Sequence, residues 1–236
     1  MTERRPILML CIGGQQTSLL AKSLYLCGMS LGNDITGWKQ SDYGSHTEHA
    51  EITNMMAVYN TLVPNLEEQK KVVDRLIEIL TAYRTQAEIH NWKYYGIKTT
   101  SGICTNKWDV IKSTYYEQWP DALYFSLLRR PVLCDGGVNE GWGNVYRARR
   151  ELAETRNGVF LPYPEVYMTG EIRKFIAAIG LSWNDEVMEL HESKRYKEGV
   201  RGISDDQMDR EYEHLMDLSQ RNFYNLFGET LELRGV

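Results

Sequence analysis

Apolar positions along this chain come in two rhythms that alternate from end to end. Pro6 to Ile12 is an unbroken apolar run of buried-strand length, and from Thr17 to Cys27 the spacing becomes helical through Leu19, Leu20, Leu24 and Leu26. The stretch "GMSLGNDITGWKQSDYGS", Gly28 to Ser45, is dense in Gly, Asn, Asp and Ser and predicts irregular backbone. "HTEHAEITNMMAVYNTLV", from His46, then predicts a helix ending near Pro64. Glu67 to Trp92 is a long amphipathic helix with Val72, Leu76, Ile79, Leu80 and Tyr83 on one face. Tyr94 to Lys98 reads as a second strand, Asp109 to Trp119 as a helix, and Ala122 to Leu128 as a third strand that stops at Arg129, Arg130 and Pro131. Asn144 to Arg156 is helical, and Val159 to Pro162 is a fourth short strand. Gly170 to Gly180 is a helix closed by its glycine, and a last helix runs from an N-cap at Ser204 to near Gly228. Strands alternating with helices predict an α/β fold with a central parallel sheet flanked by helices. No repeat, low-complexity tract or linker divides residues 1–236, so a single domain is expected.

Charge and cysteine usage narrow the function classes. The 236 residues carry a net charge of −5 and the pI is about 5.6, which argues against general affinity for nucleic acid. Cys11, Cys27, Cys104 and Cys134 are scattered without CxxC pairing and read as reduced core residues of a cytoplasmic protein. The apolar run of "MTERRPILML" is too short, and too quickly followed by Gly13, for a signal peptide or a membrane span, so no membrane partner is expected.

The chemistry suggested by the pattern begins at "MLCIGGQQTSLLAKSLYLCG", Met9 to Gly28. A strand, a glycine turn and a helix opening on Thr17 and Ser18 make an anion site, because free backbone N–H groups and the positive helix end converge there. An ordinary tight turn is the alternative. The triphosphatase pattern GxxxxGK[ST] is absent, and Gly13 to Ser18 contain no lysine or arginine. Lys22 lies more than a turn into the helix, poorly placed to replace the missing cation. Lys98 and Arg129 end two parallel strands, where ligands of open α/β sheets bind. A solvated strand end is the alternative for Lys98. Arg129 and Arg130 form a guanidinium pair suited to a phosphate fork. Arg147, Arg149 and Arg150 read as a solvated helix face, with one member reaching a bound ligand as the alternative, and Tyr115, Tyr116, Trp119, Tyr163 and Tyr167 as core or rim packing.

In their order along the chain these motifs resemble the P-loop sulfotransferases that use 3′-phosphoadenosine 5′-phosphosulfate. "CIGGQQTSLL" is similar to the end of that family's Gly-x-Pro-Arg-Ser-Gly-Thr-Ser-Leu-Leu motif at Thr17, Ser18, Leu19 and Leu20, with Gly14 where the basic residue belongs. "YGSHTEHAEITNMM" resembles the Gly-x-(Phe/Trp)-Glu segment with Glu48 in the carboxylate position, and "YYGIKTT" resembles the strand ending in lysine. "YFSLLRRPVLCDGG" resembles the Arg-Asp-Pro strand, with Arg129 on its arginine and Gly137 in place of a serine. "WGNVYRARREL" and "VFLPYPEVYMTGEIRKFIAAIGL" are similar to later family segments, so the likeness spans about residues 6 to 190.

The resemblance implies a P-loop three-layer fold and transfer of a sulfuryl group to a hydroxyl or amine of a small-molecule or glycan acceptor, leaving adenosine 3′,5′-bisphosphate. It implies cofactor binding by Gly13, Gly14, Gln15, Gln16, Thr17, Ser18, Arg129 and Gly137. Catalysis would fall to Glu48, His46, His49 and Lys98, with one of the first three as general base. For Glu48 the alternative is the first turn of a solvated helix, which Thr47 and Glu48 also suit. Gly37 to Ser45 has the composition of a loop that covers an acceptor. Two other readings stay open: a non-catalytic nucleotide-binding or protein-interaction module, favoured by Gly14 and Gly137, and a P-loop kinase, disfavoured by the missing GK[ST].

Overall fold

A computed structural model of the chain describes residues 5–9, 17–31, 35–36, 48–49, 51–52, 55, 65–98, 108–131, 140–194 and 206–233. Its backbone is a set of parallel strands separated by helices. The first strand, β1 (Arg5–Met9), precedes α1 (Thr17–Leu26). A two-residue pair follows, β2 (Ile35–Thr36) and β3 (Glu48–His49). Next is the long α2 (Leu66–Ile89), which starts where the Asn65 side chain accepts the Glu68 N–H at 3.2 Å and Glu67 and Glu68 meet the positive helix end. Then come β4 (Tyr94–Lys98), α3 (Trp108–Gln118), β5 (Leu123–Arg129), α4 (Glu140–Arg156) and β6 (Val159–Tyr163). The chain continues through α5 (Glu165–Met168), α6 (Glu171–Ala178), α7 (Glu186–Lys194) and α8 (Asp206–Phe227).

The four longer strands form one sheet in the order β4-β1-β5-β6, every pairing parallel. From β1 the chain goes outward to β4, then crosses back over β1 to β5 and on to β6, so the direction of connection reverses at β1. A sheet of this kind opens a crevice at the carboxyl ends of its strands where that reversal occurs, here between β1 and β5.

Helices cover both faces. On one, Phe125 meets Phe175 of α6 edge-on at 4.9 Å, and α1 packs over β4 and β5. On the other, Tyr95 packs against Tyr83 of α2 and Trp119 at the end of α3, with centroids 6.3 and 5.8 Å apart, and Tyr124 against Tyr116 of α3 at 5.9 Å. The strands are almost wholly buried, which is why they read as continuous apolar runs and not as alternating ones. The expected α/β class with a flanked parallel sheet is what the chain adopts.

Both edges of the sheet are closed. Outside β4, the backbone of Ser30 donates to Tyr94 O and accepts from Gly96 N, each at 3.0 Å. Outside β6, the Ser219 hydroxyl of α8 accepts the Phe160 N–H at 2.9 Å. The same helix uses Asn222 to donate to Ala153 O and Gly158 O at 2.7 and 3.0 Å. At the amino end of the sheet, Arg84 Nη2 donates to both oxygens of the Asp121 carboxylate at 2.7 and 2.8 Å while Arg5 donates to Asp121 O, which ties α2, β1 and the turn before β5 together.

Geometry requires glycine at positions 180 and 96. Gly180 follows α6 with φ of +79° and its N–H closes on Ala177 O, as expected for the glycine after this helix. Gly96 lies in β4 where a Cβ would stand 2.2 Å from the Ile7 carbonyl oxygen.

One expected element is different. A helix was expected from His46, but Glu48 and His49 are extended and pair antiparallel with Thr36 and Ile35; Glu51 and Ile52 are helical. Backbone pairing with Ile35 and Thr36 outweighs the local helix preference of Glu48. The same pairing places a two-residue strand, Ile35–Thr36, inside the stretch expected to be irregular. Helices α5 and α7 were not expected. Cys27 is buried, as expected, whereas Cys11, Cys104, Cys134, Ser204 and the continuation of the helix toward Pro64 lie outside the described residues. Among the described residues, no helix is long and apolar enough to cross a membrane.

Candidate functional site

The carboxyl end of the sheet holds two of the candidate residues that the structure describes, Lys98 and Arg129. β1 delivers the chain toward the crevice at Met9, and α1 starts at Thr17, which is buried. Leu20 and Leu24, both 0% exposed, hold α1 to the sheet. The N-terminal end of a helix carries positive potential, so the start of α1 at Thr17 favours an anion nearby. Gly13, Gly14, Gln15 and Gln16, between the two elements, lie outside the described residues, as do His46, Gly137 and the expected cover loop from 37 to 45.

Lys98 and Arg129 are the last residues of β4 and β5, the two neighbours of β1. They are 1% and 5% exposed, so the solvated strand end considered for Lys98 is not what forms. Cations are rarely buried to this degree unless an anion or an acceptor faces them. Register fixes their relation. Met9 is level with Lys98 on one side and with Phe125 on the other, and Phe125 is followed at even spacing by Arg129, itself level with Tyr163. In a pleated sheet these residues share one face, the face that carries Phe175 and α1. Arg129 stands four residues beyond the level of Lys98, about 13 Å further along the strands. The two cations therefore bracket the crevice, one level with the end of β1 and one farther out.

The expected guanidinium pair divides. Arg129 lies over the Tyr163 ring at 5.9 Å. Arg130 turns away to Glu165 of α5 at 3.4 Å, Glu213 of α8 at 3.8 Å and the Tyr212 ring at 5.3 Å. Successive side chains leave a strand on opposite sides, so a fork made by both arginines is not available. Arg130 is a tie between elements, and Arg129 alone faces the crevice side.

Beneath Arg129 is a buried aromatic group. Tyr163 meets Tyr167 and the His191 ring at 6.0 Å each, nearly perpendicular to both, while His191 and Tyr167 stack at 4.9 Å and 9°. Burial raises the Tyr163 phenol above its ordinary value, with the Arg129 charge pulling the other way, and burial raises that of Tyr167 further. The tyrosines are core packing as expected, and Tyr163 also carries Arg129.

Other placements revise the sequence reading. Arg149 is not on a solvated face: it is 1% exposed and lies over Phe160 at 5.8 Å, because it shares a helical stripe with buried Leu152 and Ala153. Arg150 pairs with Glu211 of α8 near the surface, and the Arg147 side chain lies outside the described residues. Lys22 is 4% exposed and one helical turn from Ser18, on the same side of α1. Its burial had no signal in the sequence beyond that spacing. Glu48 and His49 lie in β3, whose backbone packs beside β4, the strand that ends in Lys98.

Comparison with known proteins found no family model that matches the chain. No curated protein matches it either.

Proposed function

We propose that this protein binds 3′-phosphoadenosine 5′-phosphosulfate at the carboxyl end of its sheet and transfers the sulfuryl group to a hydroxyl or amine of a small-molecule or glycan acceptor. The observation that carries the reading is the pair of buried cations, Lys98 and Arg129, ending the strands on either side of β1 and sharing the α1 face. Two anionic groups held some distance apart are what such a pair suits. The α1 N-terminus with Thr17 and Ser18 would hold the 5′-phosphosulfate, Lys98 would supply the positive charge that Gly13 to Ser18 lack, and Arg129 would hold the 3′-phosphate. The bound cofactor supplies the activated sulfuryl group. The chain's own part is to align it, to stabilise the charge that gathers on the leaving phosphate, and to take the acceptor's proton. Glu48 is the proposed base, with His46 and His49 as the alternatives.

Thermal unfolding with candidate ligands tests the reading. A ligand at about 100 times its Kd adds about 2.7 kcal/mol to native stability, a shift of several degrees for a chain of this size. The expected outcome is stabilisation by adenosine 3′,5′-bisphosphate and none by ATP with magnesium. Stabilisation by ATP with magnesium alone points to a kinase, and stabilisation by neither points to an interaction module; each overturns the proposal. Where the bisphosphate binds, Glu48→Gln should leave its affinity within about threefold and lower sulfuryl transfer by ~10²–10⁴.

A further inference from the structure

The contacts beneath Arg129 run unbroken to α1. Arg129 lies over Tyr163, Tyr163 abuts Tyr167 and His191, and Tyr167 reaches the Ser23 hydroxyl of α1 at 2.9 Å. Ser23 Oγ also donates to Leu19 O at 2.8 Å, so its single proton is committed and the Tyr167 O–H is the donor to Ser23. Every member between the two ends is buried: Ser23 and Tyr167 are 0% exposed, Tyr163 1% and His191 2%. The group draws one residue from each of α1, β6, α5 and α7.

We infer that Tyr163, Tyr167 and His191 form a positioning element that fixes the separation between Arg129 and the N-terminus of α1, and thereby selects a ligand with two separated phosphates over one with a single phosphate. The inference rests on the nucleotide reading above. Its physical basis is that a close-packed interior transmits position, since rings in contact from all sides cannot yield independently. A face-on ring also orients a guanidinium, with a contribution that corresponds to about 3- to 30-fold in affinity. Phenylalanine or leucine would fill this space without a hydroxyl or an imidazole to satisfy, so simple core filling leaves the Tyr167–Ser23 bond without a role.

The test is the affinity ratio of adenosine 3′,5′-bisphosphate to adenosine 5′-monophosphate, measured by calorimetry on the full chain. Tyr163→Leu should weaken bisphosphate binding about tenfold and leave monophosphate binding within about twofold, and Tyr163→Phe, which keeps the ring, should restore the wild-type ratio. Tyr167→Phe, which keeps every ring contact and loses the bond to Ser23, should also lower the ratio; it decides the matter if Tyr163→Leu does not fold. An unchanged ratio in folded variants, or equal loss for both nucleotides, overturns the inference while leaving the nucleotide site standing. Wild-type protein that binds neither nucleotide overturns both.

Discussion

Arg129 and Arg130 are neighbours in sequence and part at the end of β5, one set over Tyr163 and the other spanning Glu165, Glu213 and Tyr212. Their substitutions should therefore separate binding from stability. Arg129→Ala removes a charge-assisted bond to phosphate and should weaken adenosine 3′,5′-bisphosphate binding by ~1.5–3 kcal/mol. Arg130→Ala removes half-exposed ion pairs and should cost about 0.5–1 kcal/mol of stability with affinity within about threefold. Calorimetry and urea titration on the two variants check this; an Arg130 variant that loses the ligand while Arg129→Ala keeps it would reverse the assignment. The two alternatives could not be told apart from sequence, because a dipeptide at a strand end does not reveal which residue faces which side until the register of that strand is known.

At the scale of elements, β4 and β1 approach closely enough at Gly96 that a methyl group would meet the Ile7 carbonyl at 2.2 Å. That neighbour is backbone in the middle of the sheet and cannot swing aside. Gly96→Ala should therefore destabilise by about 1–3 kcal/mol through overpacking, seen as a lower urea midpoint at unchanged m-value. Full native stability in this variant would mean that the two strands have room to part. The four long strands and the helices between them were legible because each carries at least one full period of apolar spacing. β2 and β3, at two residues each, carry none, and α5 at four residues barely completes a turn. Lys98 and Arg129 were legible as strand ends. Tyr163 was not, because its relation to Arg129 depends on the pairing of β5 with β6, 34 positions further along the chain. Arg149 had a usable signal, its spacing to Leu152 and Ala153, which the flanking arginines obscured.

Over the whole molecule, burial of phenols couples the fold to alkaline pH. Tyr83, Tyr115, Tyr124 and Tyr167 are all raised above the ordinary value of 10.0, in each case first by burial. A raised acid stays protonated in the folded chain while the unfolded chain releases its proton from pH about 10 upward, so this stability is present below pH 10 and lost above it. Phenolate absorbance from these residues should appear together with loss of native circular dichroism, and their early titration in a chain that stays folded would contradict the burial. The closed edges of the sheet have another consequence. β6 is an outermost strand of sequence VFLPY, and its backbone is guarded by Pro162, which has no N–H to offer, and by Ser219, which occupies that of Phe160. An uncovered apolar strand is a template on which a second chain can add. Departure of α8 alone, without global unfolding, would thus turn this sheet into a seed for polymer. Ser219→Ala, incubated below its melting temperature, should scatter light and bind amyloid dyes at concentrations where the parent chain stays clear.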